Sequence, residues 1–265
     1  MEPPATIPAM PFPFAGVSPA RGEVNAEVVE YRHGEVALEG YLAYDAALRG
    51  KRPGVLVAHE WSGHGAYVRE RAEQLARLGY VAFALDMYGK GVRAKDAGEA
   101  AALAGIYKAD RARMRARAAA GLDALRNRPE ADPARLAAIG YCFGGTTVLE
   151  LARSGADLAA VVSFHGGLDT PVPGDARNIR GKVLVLHGGD DPFVPAKQVE
   201  GFQEEMRKAG VDWQIVSYGG AVHSFTNPGA GSDNSKGAAY NGRADRRSWE
   251  AMRAFLSETL RKGDR

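Results

Sequence analysis

The chain contains a single cysteine, Cys142, set in the run Gly140-Tyr141-Cys142-Phe143-Gly144-Gly145. A nucleophile with glycine two positions away on either side is the pattern of a sharp strand-to-helix turn. Such a turn strains the backbone at its apex, and small neighbours let strand and helix crowd together there. It sets the sulfur at a helix N-terminus, whose partial positive charge favours thiolate. The backbone N–H of Phe143 then points where an oxyanion would form. A lone cysteine is also a common small core residue, so the elbow alone leaves that reading open. The run is not a dinucleotide loop, because Cys142 stands in place of the second glycine of G-x-G-x-x-G.

Two further segments carry the partners that a thiol nucleophile needs. The apolar stretch Lys182–Leu186 leads into His187-Gly188-Gly189-Asp190-Asp191-Pro192, and Asp212–Ser217 leads into Tyr218-Gly219-Gly220-Ala221-Val222-His223-Ser224-Phe225. An aspartate on the first loop can orient an imidazole on the second. That imidazole holds the nucleophile's proton or pairs with its thiolate. Asp191 is the preferred acid, since Asp-Pro-Phe-Val-Pro turns at once into a helix, leaving Asp190 as a solvated neighbour. Singly, Asp191 could cap that helix and His223 could be an ordinary loop residue. In this order, on these loops, the three read as a catalytic set.

The elements that must position them follow from periodicity. Ala26–Tyr31 and Glu35–Tyr44 alternate around Arg32–Gly34 as an antiparallel hairpin. After Pro53, buried strands alternate with helices. The strands are Gly54–Ala58, Tyr80–Leu85, Arg135–Gly140, Ala159–Phe164, Lys182–Leu186 and Asp212–Ser217. The helices are Tyr67–Leu78, Ala97–Arg126 (in two pieces around Gly105–Ala109), Gly144–Arg153, Pro195–Ala209 and Arg246–Leu260. This alternation predicts an α/β fold with a mainly parallel sheet and helices on both faces. Right-handed crossovers put the strand C-termini, and hence the site, along one edge. Residues 1–22, with Pro3, Pro4, Pro8, Pro11, Pro13 and Pro19, read as an extended arm, and residues 23–265 as one domain.

Composition narrows the function. The 265 residues are 45% hydrophobic with a formal charge of +2, which suits a globular protein and gives no electrostatic case for nucleic acid or anionic lipid. The run Arg111, Arg113, Arg115, Arg117 spreads over a wide helical arc and reads as a solvated face. The apolar runs are strand-sized, so no membrane span is expected. One cysteine rules out an intrachain disulfide and fits a reducing, cytoplasmic location. Glu2 and the prolines over Ala9–Val17 do not make a signal peptide. His59-Glu60-Trp61-Ser62-Gly63-His64 lacks the helical i, i+4 histidine pair of a zinc protease.

Gly140–Gly145, Gly189–Pro195, His223–Phe225 and the segment His59-Glu60-Trp61 together resemble the dienelactone hydrolase family, over nearly everything after Asn25. The resemblance implies a monomeric, eight-stranded α/β hydrolase that opens cyclic enol esters through a thioester on cysteine, without metal or organic cofactor. It assigns Glu60 a part in forming the thiolate and the Trp61 amide a place as second oxyanion donor. A buried carboxyl beside the elbow would have the raised pKa suited to proton exchange. The family holds its substrate carboxylate with two arginines, and this chain has Lys90 and Asn227 at those positions. Lysine keeps the charge without the bidentate fork, and asparagine keeps neither. Tyr88, Lys90 and Arg93 are the candidates to meet an anionic group, with a solvated surface loop as the alternative, and Trp61 and Phe143 either line an apolar acyl pocket or fill core. The expected substrate is a small ester or lactone. A thioesterase or acyl transferase on the same scaffold is the nearest alternative, and a non-catalytic small-molecule binder the next.

Overall fold

Apolar runs with little polar interruption must be covered on both faces, and this chain buries every residue of the strands Val81–Leu85 and Ala160–Phe164. The computed structural model describes residues 23–261, and the arm expected over residues 1–22 lies outside them. Strands β1 (Val24–His33) and β2 (Val36–Asp45) form the expected hairpin around Gly34, which has φ +58°. Strands β3 (Arg52–Ala58), β4 (Val81–Leu85), β5 (Ala131–Tyr141), β6 (Ala160–Phe164), β7 (Lys182–Gly188) and β8 (Trp213–Tyr218) are parallel to one another. The eight strands run in the order β1-β2-β4-β3-β5-β6-β7-β8.

Helices α1 (Ala66–Ala76) and α6 (Gly242–Thr259) cover one face through Val68, Leu75, Met252 and Leu256. Helices α2 (Ala97–Ala109), α3 (Arg111–Arg126), α4 (Phe143–Arg153) and α5 (Ala196–Ala209) cover the other, through residues including Met114, Leu122, Val148 and Phe202. The long alanine-rich stretch does divide in two, but the break falls at Asp110. Its side chain accepts the Arg113 N–H and caps α3, a local signal that outweighs Gly105. Helix α6 starts four residues before the expected Arg246, because Asn241 caps it by accepting the Ala244 N–H.

The arginine run is solvated only at Arg113, which is exposed. Arg117 is buried and donates to His33 and to the Met87 carbonyl, while Arg111 pairs with Asp169 and Arg115 with Glu150 and Asp175. The wide arc that argued against a nucleic-acid stripe lets Arg111, Arg115 and Arg117 each reach a different neighbour.

Deepest among these charges is Arg153, at the end of α4. It is fully buried and forks onto both oxygens of Glu205 in α5 at 2.8 Å, with a further bond to Glu150 at 3.0 Å. The helix that begins at Cys142 is thereby tied to the helix that follows Asp191. Arg153→Met should lower unfolding stability by about 3–5 kcal/mol, because buried Glu205 loses its counter-charge and buried Glu150 is left with Arg115 alone. Denaturant titration reads this directly, and a loss below about 1 kcal/mol would show the network to be replaceable by apolar packing.

Candidate active site

Parallel register aligns the strand ends. Ala58 pairs with Gly140, Tyr141 with Phe164, Phe164 with Leu186, and Gly188 with Tyr218. The residues leaving those strands, Glu60, Cys142, His165, Asp191 and His223, are therefore delivered to one edge.

Cys142 has φ +54° and ψ −117°, a strained conformation for a residue with a side chain. The crowding around it explains the glycines. A Cβ on Gly140 would lie 2.0 Å from the Gly144 carbonyl oxygen, and one on Gly144 would lie 2.2 Å from that of Ala58. Phe143 is the first residue of α4, where backbone N–H groups have no acceptor within the helix. Its ring does not line an acyl pocket. It is buried among His59, Tyr88 and Tyr107, so the side chain belongs to the core while the amide belongs to the edge.

The His223 ring spans the other two expected members. Nε2 lies 3.1 Å from Cys142 Sγ, and Nδ1 lies 2.8 Å from Asp191 Oδ2. Asp191 is buried, and its other oxygen accepts the Phe193 N–H at 2.8 Å. Asp190 is exposed, as expected of the neighbour, and accepts the Gly220 N–H at 3.1 Å, which steadies the loop bearing His223. That loop is also pinned at its apex, where the His223 N–H donates to Gly237 and the His223 carbonyl accepts from Ala239. Burial pulls the imidazole toward neutrality. The Cys142 charge and the hydrogen bonds to Asp191 and Cys142 outweigh it and carry His223 up to about 10.

Glu60 is buried at the end of β3, and burial pushes its carboxyl above the usual range. Bonds from Asn227 and Ser224 and the charges of His223 and Arg71 oppose that rise. Asn227, notable in the sequence only as a missing arginine, donates its side-chain N–H to Glu60 across 167 positions of chain. Tyr88 is buried and donates to the Trp61 carbonyl at 2.9 Å, holding the turn that carries the Trp61 amide. Lys90 pairs with Glu30 on β1, and Arg93 lies 3.7 Å from Glu39 on β2. The Trp61 side chain is 41% exposed.

Two residues beside this set had no role in the sequence reading. Phe193 is 59% exposed and meets the His223 ring edge-on at 5.5 Å. His165 lies beneath Cys142. His59 is spoken for on both nitrogens, donating from Nδ1 to the Glu60 carbonyl and accepting the Met87 N–H at Nε2. Among the described residues no group of three or more His, Cys, Asp or Glu is placed to hold a metal ion. No helix among them is long and apolar enough to cross a membrane.

This sheet order with a strained strand-to-helix elbow at its centre defines an α/β-hydrolase fold. The chain belongs to the dienelactone hydrolase family, whose model matches residues 38–260. The solved structure of m3DLH is 45% identical and superposes with a TM-score of 0.87, covering 91% of this chain and 100% of that one. A dienelactone hydrolase-like promiscuous phosphotriesterase from metagenomic libraries is also 45% identical, with a TM-score of 0.86 and the same coverage. Protein usf of Aquifex pyrophilus is 28% identical over 239 residues, which is 88% of this chain and 99% of the relative.

The raised His223 value makes a titration prediction. Its protonated form contributes stability that is fully present below the unfolded value near 6.5 and is lost as pH climbs through about 10. Cys142→Ala removes the leading upward cause while burial remains. The His223 imidazole signals should then titrate well below their wild-type midpoint by NMR, and an unmoved midpoint would mean that the sulfur does not hold the charge.

Proposed function

We propose that the protein hydrolyses carboxylic esters or lactones through a covalent thioester on Cys142. The observation that carries this reading is the His223 ring, held at 2.8 Å from Asp191 and 3.1 Å from the only sulfhydryl of the chain. In the proposed cycle the Cys142 thiolate attacks the carbonyl carbon while the Phe143 and Trp61 amides receive the developing oxyanion. The carbon–oxygen bond of the ester breaks, and the His223 imidazolium gives its proton to the departing oxygen. Neutral His223, oriented by Asp191, then takes a proton from water. The resulting hydroxide attacks the thioester, the acid leaves, and the thiolate–imidazolium pair is restored. Glu60 exchanges the proton of any resting thiol, a task suited to a buried carboxyl with a raised pKa. No metal or organic cofactor enters the cycle, and one copy of residues 23–265 suffices for it.

The surroundings favour an uncharged substrate. Lys90 and Arg93 are each engaged by a carboxylate, Asn227 is neutral and bonded to Glu60, and the exposed side chains of Trp61 and Phe193 offer apolar contact. An anionic dienelactone would find no bidentate cation at these positions. The same neutrality supports a second reading. Phosphotriesters are uncharged, and a relative at 45% identity is a promiscuous phosphotriesterase. Thiolate attack at phosphorus would use the same two amides.

The test compares a neutral aryl ester, an anionic dienelactone and a neutral aryl phosphotriester, each with wild type and Cys142→Ala. The neutral ester should be the best substrate, and its kcat should fall by on the order of 10³ or more in the variant. Wild-type activity in Cys142→Ala would end the proposal. Asn227→Arg should raise kcat/KM for the anionic lactone about tenfold relative to the neutral ester. No change in that ratio would show that the substrate carboxylate binds elsewhere.

A further inference from the structure

A second histidine underlies the nucleophile. His165 follows β6 directly, is buried, and meets the His223 ring edge-on at 5.3 Å. The Cys142 N–H is shared between the Phe164 carbonyl at 3.0 Å and His165 Nδ1 at 3.1 Å. An N–H donates only to a lone pair, so Nδ1 is unprotonated and the neutral ring carries its proton on Nε2. Nε2 lies 2.7 Å from Thr226 Oγ1 and donates to it.

The remaining protons then have one consistent arrangement. The Thr226 hydroxyl donates to the Tyr67 hydroxyl at 2.7 Å, and Tyr67 donates to the Thr226 carbonyl at 3.2 Å. Arg71 closes the chain, donating from Nε to the Tyr67 hydroxyl and from Nη2 to the Thr226 carbonyl and to Asp245, each at 2.7 Å. A line of hydrogen bonds thus links Asp245 on α6 to the amide of the nucleophile. Among the described residues, the non-glycine residues at positive φ are Cys142, His165 and Ser224. Backbone strain is therefore concentrated in the three loops that this line and the His223 loop connect.

We propose that His165 is a positioning residue for the nucleophile, locked by Thr226 in the Nε2–H tautomer so that Nδ1 holds the Cys142 amide. This rests on the reading of Cys142 as nucleophile. The opposite tautomer would aim one N–H at another, and a protonated ring would put a second positive charge against the His223 imidazolium. Charged and titratable groups facing His165 are His223 and Arg71, with the Tyr141 ring packed at 6.1 Å. Burial, with the charges of His223 and Arg71 added, holds His165 well below its usual value, so the ring stays neutral.

Thr226→Val keeps the shape and removes the acceptor that selects the tautomer. Its kcat should fall about tenfold with KM unchanged. Iodoacetamide alkylation of Cys142, the chain's single cysteine, should slow in parallel at neutral pH. Thr226→Ser should recover most of both. Wild-type kcat and alkylation rate in a Thr226→Val protein that unfolds like wild type would overturn the proposal. Should that variant not fold, His165→Asn and His165→Leu decide. Asparagine tolerates positive φ and offers an oxygen near the place of Nδ1, so its alkylation rate should exceed that of leucine, and equal rates would overturn the assignment. Alkylation reports on the thiol without turnover, whereas full activity in Cys142→Ala would instead refute the nucleophile reading itself.

Discussion

Everything at this site depends on holding a cysteine at φ +54° where a parallel strand meets a helix. An isolated chain would relax from that conformation, at a cost of order 1–3 kcal/mol to retain it. The fold retains it by close approach. Gly144 comes so near the carbonyl of Ala58, and Gly140 so near that of Gly144, that no side chain fits at either position. In return, the sulfur stands clear of the sheet at a helix N-terminus, within 3.1 Å of an imidazole carried by a distant loop.

The parallel sheet converts that local turn into a constellation. Strands in register end together, so residues more than 160 positions apart, Glu60 and Asn227, come into hydrogen-bond contact. Below the edge, Arg153 ties α4 to α5, and with them the loops bearing Cys142 and Asp191. Charge at the edge is shared out sparingly. Against the pull of burial, Cys142 and Asp191 raise His223 above its ordinary value, while burial and the charges of His223 and Arg71 lower His165. Lys90 and Arg93 are occupied by Glu30 and Glu39, which leaves the surroundings of the thiol without the paired cations an anionic lactone would seek.

Much of this was legible in the sequence, because its signals are local or periodic. The elbow glycines and the apolar strand runs each occupy a few consecutive residues, as do the loops bearing Cys142, Asp191 and His223, which topology brings together. The dienelactone hydrolase family was legible for the same reason. What escaped was non-local. Nothing near Arg117 in the chain reveals that Met87 and His33 await it, so a buried arginine looked like a solvated one. Phe143 was read for an acyl pocket because its neighbour is the nucleophile, yet the first turn of α4 sends its ring into the aromatic core. His165 carried no spacing signal at all. Its importance arises from two residues, Cys142 and Thr226, that lie 23 and 61 positions away.

The central claim, covalent chemistry at Cys142, is tested most directly by acid-quenching the enzyme early in turnover of a neutral aryl ester and measuring the mass of the tryptic peptide that contains Cys142. An acyl increment is expected on that peptide, labile to hydroxylamine as a thioester is, and gone once substrate is exhausted. Rapid turnover with the peptide unmodified at every quench time, or with the acyl group on any other residue, would contradict it.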